Sequence, residues 1–141
     1  MITPTSLLFS EAFLSPLVID EAVGRALAED LGRAGDVTSI ATIPEATAAS
    51  AIMVARQAGV IAGLPLAVAT LQKLAPDIRI EAHAHDGDAV TRGQHLLTIS
   101  GPARAVLSAE RTALNFVGRL SGVATLTADY VKRTEGTKTR I

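Results

Sequence analysis

The sequence predicts an α+β domain. Three observations carry that reading. A capped, amphipathic helical pattern opens the chain, strand-like runs fill its middle, and the final third is one long apolar helical pattern. Strands gathered in the middle with helices toward the ends favour α+β over a regular βαβ alternation.

Ser15-Pro16 marks the first helix, a serine cap followed by proline at the first helical position. Val18, Ile19, Ala22, Val23, Ala26 and Leu27 then recur at helical spacing. Gly32 ends that helix, and GRAGDVTS, Gly32 to Ser39, reads as a loop. Ala48 to Gln57 reads as a strand and Gly59 to Gly63 as a short buried one. Gly63-Leu64-Pro65 opens a second helix that runs to Leu74 and stops before Pro76. From Ile78 the alternation is strict. Ile78, Ile80, Ala82 and Ala84 face one way, and Arg79, Glu81, His83 and His85 the other. HDGDAVTRGQ is a turn-rich link, and His95 to Ser100 is another strand. Gly101-Pro102 starts the long helix, expected to reach Ser121. Gly122 is expected to bend or interrupt it before a second helical run, Val123 to Arg133. Gly136 ends that run, and Thr137 to Ile141 reads as the entry to a strand.

A chain of 141 residues, 48% hydrophobic and 19% charged, has the composition of one globular domain. Phe9, Phe13, Phe116 and Tyr130 are its aromatics, so the core must be aliphatic. A net charge of −1 excludes a global field that would gather nucleic acid or a membrane surface. The absence of cysteine excludes disulfides, thiolate zinc sites and cysteine nucleophiles. Leu7 to Phe9 is soon broken by Ser10, Glu11 and Pro16, and no basic residue precedes Arg25, so no signal peptide is expected. The longest uncharged run, Gln57 to Gln72, is too short for a membrane span. A cytoplasmic location is the expectation.

The long helix carries the most pointed chemistry. Arg104, Ser108, Arg111, Asn115, Arg119 and Gly122 fall within about 80° of one another on a helical wheel, while the remaining faces are almost wholly apolar. Glu110 projects away from this strip. Three guanidiniums with no acid among them suit a carboxylate or a phosphate, which arginine grips with paired hydrogen bonds. The same spacing also suits a solvated face, or arginines paired with acids from elsewhere in the fold.

Other candidates weigh less. His83 and His85 share a strand face near Asp86, Asp88 and His95, a feasible ligand geometry, but they simply continue the polar face of Arg79 and Glu81. The rhythm of DGDAVTRGQHLLTISG resembles the turns of biotinyl and lipoyl carrier domains. Lys73, Lys132 and Lys138 are the only lysines, and none lies in such a turn. GVIAGLP lacks the signature of a phosphate loop, and no Ser-His-Asp arrangement can be placed.

Five segments together resemble nicotinate-nucleotide pyrophosphorylase, the quinolinate phosphoribosyltransferase family. They are EDLGRAGDVTS (from Glu29), RQAGVIAGL (from Arg56), DGDAVTRGQ (from Asp86), SAERTALNFVGRLSGVAT (from Ser108) and GTKTRI (from Gly136). They occur in order over nearly the whole chain, and the AERTALN…LSG block is the most specific.

The resemblance implies a type II phosphoribosyltransferase of NAD biosynthesis. It implies that quinolinate and 5-phosphoribosyl 1-diphosphate, with Mg2+, yield nicotinate mononucleotide, CO2 and diphosphate. It further implies an N-terminal open α/β sandwich of hammerhead type, here residues 1–109. Residues 110–141 would then lead into a C-terminal α/β barrel that this chain lacks. Homodimers are implied, with the sandwich of one subunit covering the barrel mouth of the other. The family's substrate-binding arginine matches Arg111, while Arg104 and Arg119 have no such match. The segment matching GTKTRI leads, in the family, into further substrate-binding residues that do not follow here. The chain is therefore expected to be inactive alone and to bind no Mg2+ itself. Apolar faces left uncovered on the long helix are expected to make it self-associate. A non-enzymatic dimerisation module and a related protein of molybdenum-transport operons are the competing readings.

Overall fold

A computed structural model describes residues 14–141, and the apolar triplet Leu7 to Phe9 lies outside the described residues. Helix α1 spans Pro16–Leu31. The Ser15 hydroxyl accepts from the Leu17 amide at 3.3 Å, and Gly32 closes the helix at φ 55°. Helix α2, Val37–Thr42, falls where a loop was expected. Asp36 caps it, its carboxylate accepting from the Ser39 amide at 2.9 Å and the Ser39 hydroxyl at 2.5 Å. The strands and remaining helices are β1 (Ala48–Val54), β2 (Gly59–Val60), α3 (Leu64–Leu74), β3 (Arg79–Ala82), β4 (Ala89–Val90), β5 (His95–Pro102) and α4 (Ala103–Thr134).

The strands form two antiparallel sheets, a three-stranded one in the order β1-β5-β3 and a two-stranded one of β2 and β4. Met53 pairs with Leu97 but Val54 pairs with His95, so β5 carries one extra residue, Leu96. That bulge lets two consecutive leucines, Leu96 and Leu97, both enter the core, which regular alternation forbids. Ile80 and Ile99 face each other across β3 and β5 on the inner side, while Arg79, Glu81 and His83 lie outward as the alternation predicts.

Helices α3 and α4 cover the inner face of the larger sheet. Leu64, Ala67, Val68 and Leu71 of α3 meet Val106, Ala109, Ala113 and Val117 of α4 over Met53, Ile80, Leu97 and Ile99. The alanines at these contacts let the two helices approach closely. Helix α1 packs on the far side of α3, where Ile19, Val23 and Leu27 enclose Leu66. Ser50, Ile52 and Val54 on the opposite face of the sheet are exposed, so the architecture is a mixed α+β open sandwich.

Two further sequence expectations need correction. Helix α4 passes through Gly122 without interruption. A helical glycine costs about 1 kcal/mol, and the tertiary contacts of Ser121 and Thr125, described below, outweigh that here. Residues Thr137 to Ile141 form no strand.

Candidate functional site

The polar strip of α4 faces the end of α1 and all of α2. Its N-terminal part is structural. Arg104 donates from Nε to the Ile43 carbonyl at 2.8 Å and from Nη2 to the Ile40 carbonyl at 3.1 Å. These carbonyls belong to the C-terminal end of α2, where a cation is favoured. One turn on, the Ser108 hydroxyl donates to Asp36 at 3.0 Å. Asp36 thus caps α2 and ties it to α4. Hydrogen bonds from Ser39 hold its carboxyl below the usual value of 3.8. The strip carries no acid of its own, but Asp36 and Asp30 reach it from residues far away in sequence, the alternative that the spacing left open.

Arg111 marks the change from structure to candidate chemistry. Burial of Ile19, Val23 and Leu27 turns Ala26, Glu29 and Asp30 of α1 toward α4. Arg111 Nη1 donates to Asp30 Oδ1 at 3.1 Å, and the Thr112 hydroxyl lies 3.4 Å from Asp30 Oδ2. The side chain of Asp30 is 16% exposed and that of Arg111 is 78% exposed. The guanidinium is thus engaged through one nitrogen and otherwise open. It lines a cavity of about 500 Å3 with Asn115, Arg119, Glu29 and Phe116. The strip read from sequence groups Arg111, Asn115 and Arg119, which line one opening, but it also held Arg104 and Ser108, which the structure commits to α2 and its cap.

The histidine and aspartate cluster does not converge. Asp86 accepts from the amides of Gly63 at 2.7 Å and Leu64 at 2.9 Å, capping α3. Burial pushes its carboxyl above 3.8 despite those amides. Asp88 accepts from the His85 amide at 2.8 Å, and His83 Nε2 lies 2.8 Å from the Thr98 hydroxyl. Among the described residues no three His, Asp or Glu side chains come together as a metal site. GVIAGLP is strand and helix start, as read from sequence, with Gly63 at φ 95°.

Sequence reasoning missed Ser121 and Thr125. Their hydroxyls accept from the amides of Ala62 at 3.0 Å and Val60 at 2.9 Å. Two hydroxyls one helical turn apart rise about 6 Å, close to the two-residue repeat of a strand. A serine and a threonine at i and i+4 facing a glycine-flanked strand were the available signal.

A cleft lined by Arg111 and Arg119 with Glu29 and Asp30 lies on the helical flank of an open α+β sandwich. A family profile, quinolinate phosphoribosyl transferase N-terminal domain, matches residues 36–121. The chain belongs to the quinolinate phosphoribosyltransferase family. It is 41% identical over 123 residues to the nicotinate-nucleotide pyrophosphorylase (carboxylating) of Mycobacterium leprae, covering 86% of this chain and 43% of that protein. It is 43% identical over 102 residues to a chloroplastic relative of the same name from Arabidopsis thaliana, covering 72% and 29%. Among solved structures, the nicotinate-nucleotide pyrophosphorylase of Francisella tularensis superposes with a TM-score of 0.84 at 30% identity, over 91% of this chain and 45% of that one. NadC from Streptococcus pyogenes gives 0.81 at 34% identity, over 85% and 42%. The chain thus spans less than half the length of these relatives. No helix among the described residues is long and apolar enough to cross a membrane.

Proposed function

We propose that this chain supplies the quinolinate-gripping arginine, Arg111, of a quinolinate phosphoribosyltransferase of NAD biosynthesis. The observation that carries the reading is the state of that guanidinium. One nitrogen is tethered to Asp30, and the rest opens on a cavity shared with Asn115 and Arg119. An arginine free along one edge suits a pyridine diacid, whose carboxylates present paired acceptors.

In the proposed reaction the pyridine nitrogen forms a bond to C1 of the phosphoribosyl group as the bond to diphosphate breaks. The carboxyl group next to that nitrogen then leaves as CO2, and the ring carbon that keeps the electron pair takes up a proton from water. Arg111 acts on the diacid, holding the ring so that its nitrogen lies in line with C1. Its positive charge also favours the electron pair left on the ring carbon when CO2 departs. Mg2+ belongs to the proposal through the phosphoribosyl diphosphate substrate. Among the described residues no three His, Asp or Glu side chains gather where they could hold the ion.

The division at residue 109 and the pairing of subunits belong to the same proposal. Helix α4 of one subunit would bring Arg111 to the barrel of another. A reducing, aqueous compartment such as the cytoplasm suits a chain without cysteine.

Two assays test the reading. Mixed with quinolinate, phosphoribosyl diphosphate and Mg2+, this chain alone is expected to form no nicotinate mononucleotide, and turnover would refute the account of a site completed elsewhere. In a full-length enzyme bearing this N-terminal part, Arg111→Ala is expected to weaken quinolinate use about ten- to hundredfold, the range for a lost charged hydrogen bond. Unchanged quinolinate kinetics would remove Arg111 from the site.

A further inference from the structure

We propose that Asp30 is the positioning residue for Arg111, setting which edge of the guanidinium a ligand meets. The inference rests on the reading of Arg111 as the diacid-gripping cation. Asp30 lies in the last turn of α1, where the helix carbonyls already concentrate negative charge. A largely buried carboxylate is unfavourable at that end unless a cation or hydroxyl answers it. Both kinds of partner come from adjacent residues of α4. Oδ1 takes the Arg111 hydrogen bond, and Oδ2 lies 3.4 Å from the hydroxyl of Thr112, which is itself 4% exposed. The carboxylate plane is therefore fixed from both sides.

The contact with Arg111 uses Nη1 alone. A fork-to-fork pair would consume two guanidinium nitrogens and leave little for a ligand. A single tether at Nη1 leaves the Nε and Nη2 edge, which is the edge able to take a second carboxylate side-on. Without Asp30, an arginine 78% exposed has several rotamers to choose from. Holding one nitrogen lowers the conformational entropy that a ligand must otherwise remove. Asp30 thus acts through Arg111 rather than by touching the ligand.

The test uses a full-length enzyme bearing this N-terminal part, quinolinate as the probe and 15N side-chain NMR. Asp30→Asn is expected to weaken quinolinate binding by at least about tenfold and to speed rotation about the Arg111 Nε–Cζ bond, with backbone amide shifts otherwise retained. Asp30→Glu, which restores the charge, is expected to recover most of the lost affinity and slow the rotation again. Arg111→Ala is the reference. If Arg111→Ala weakens binding but Asp30→Asn does not, or if Glu serves no better than Asn, the role of Asp30 is overturned while that of Arg111 stands. If the parent enzyme and Arg111→Ala bind quinolinate equally, or neither binds, the reading of Arg111 falls and this inference falls with it.

Discussion

The Ser121 hydroxyl and the backbone of Ala62 exchange hydrogen bonds across 59 residues of sequence, accepting from the amide at 3.0 Å and lying 3.2 Å from the carbonyl. Thr125 meets Val60 in the same way, at 2.9 and 3.4 Å. The free edge of β2 is thereby satisfied by a helix instead of by another strand. Removing either hydroxyl leaves part-buried backbone groups without partners. Ser121→Ala and Thr125→Val are each expected to cost about 1–3 kcal/mol in urea unfolding. A loss within error for both would mean that water replaces them.

The glycines flanking β2 follow from the same closeness. A Cβ at Gly63 would lie 2.9 Å from Leu120 Cδ1 and 3.1 Å from the Phe116 carbonyl oxygen, on a backbone at φ 95°. Gly93 has a similar φ of 85° with nothing within 4 Å. Gly63→Ala should therefore destabilise clearly more than Gly93→Ala, whose cost is the left-handed conformation alone, about 1–2 kcal/mol. Equal costs would show that α4 can withdraw from β2 freely.

Two carboxyls give opposite pH dependences. Asp36 is held below 3.8 by Ser39, so the unfolded chain binds its proton first. The stability it contributes is present above pH 3.8 and is lost as pH falls through the lower folded value. Asp86 is pushed above 3.8 by burial, so the folded chain binds that proton more tightly. Its contribution therefore rises as pH falls from the folded value toward 3.8. Unfolding free energy measured against pH should lose the first slope in Asp36→Asn and the second in Asp86→Asn. Profiles parallel to the parent's would contradict both assignments.

Arg104 and Ser108 fasten α2 and do not line the cavity that holds Arg111. Arg104→Ala is expected to speed hydrogen exchange at the amides of Ile40 and Ile43 while leaving those of α3 protected. Quinolinate binding should be unaffected. A matching loss of protection in α3 would show that α2 is coupled to the whole core.

The C-terminal half of α4 presents Val123, Leu126, Tyr130 and Val131, all exposed. Uncovered apolar surface of this kind favours association. Sedimentation velocity is expected to show the chain self-associating with rising concentration, and Leu126→Glu should reduce it. A monodisperse monomer across the range would remove the prediction.

Much of this fold is legible wherever the signal is local. Ser15-Pro16, the alternation from Ile78 and the entry Gly63-Leu64-Pro65 each act within a few residues, and each marks a real element. Helix α2 escapes because six residues, preceded by Gly32 and Gly35 and followed by Pro44, show no period. Its signal was chemical, an Asp three residues before a Ser. The bulge at Leu96 was hidden because register depends on the partner strand. At the site, the helical wheel groups Arg111, Asn115 and Arg119 correctly because periodicity is intrinsic to a helix. It says nothing of which acid answers each arginine. Asp36 meets Ser108 from 72 residues away and Asp30 meets Arg111 from 81, and no spacing rule spans such distances.

Helix α4 is last in the described order, yet it touches α1, α2 and α3 and the strands β1, β2 and β5. During synthesis the larger sheet and α3 must therefore wait for their lid. At about 5–20 residues per second, translating Ala103 through Val117 takes roughly 1–3 s. For that interval the nascent polypeptide displays Leu64, Val68, Leu97 and Ile99 with nothing to cover them, and a holding chaperone would find its binding surface there.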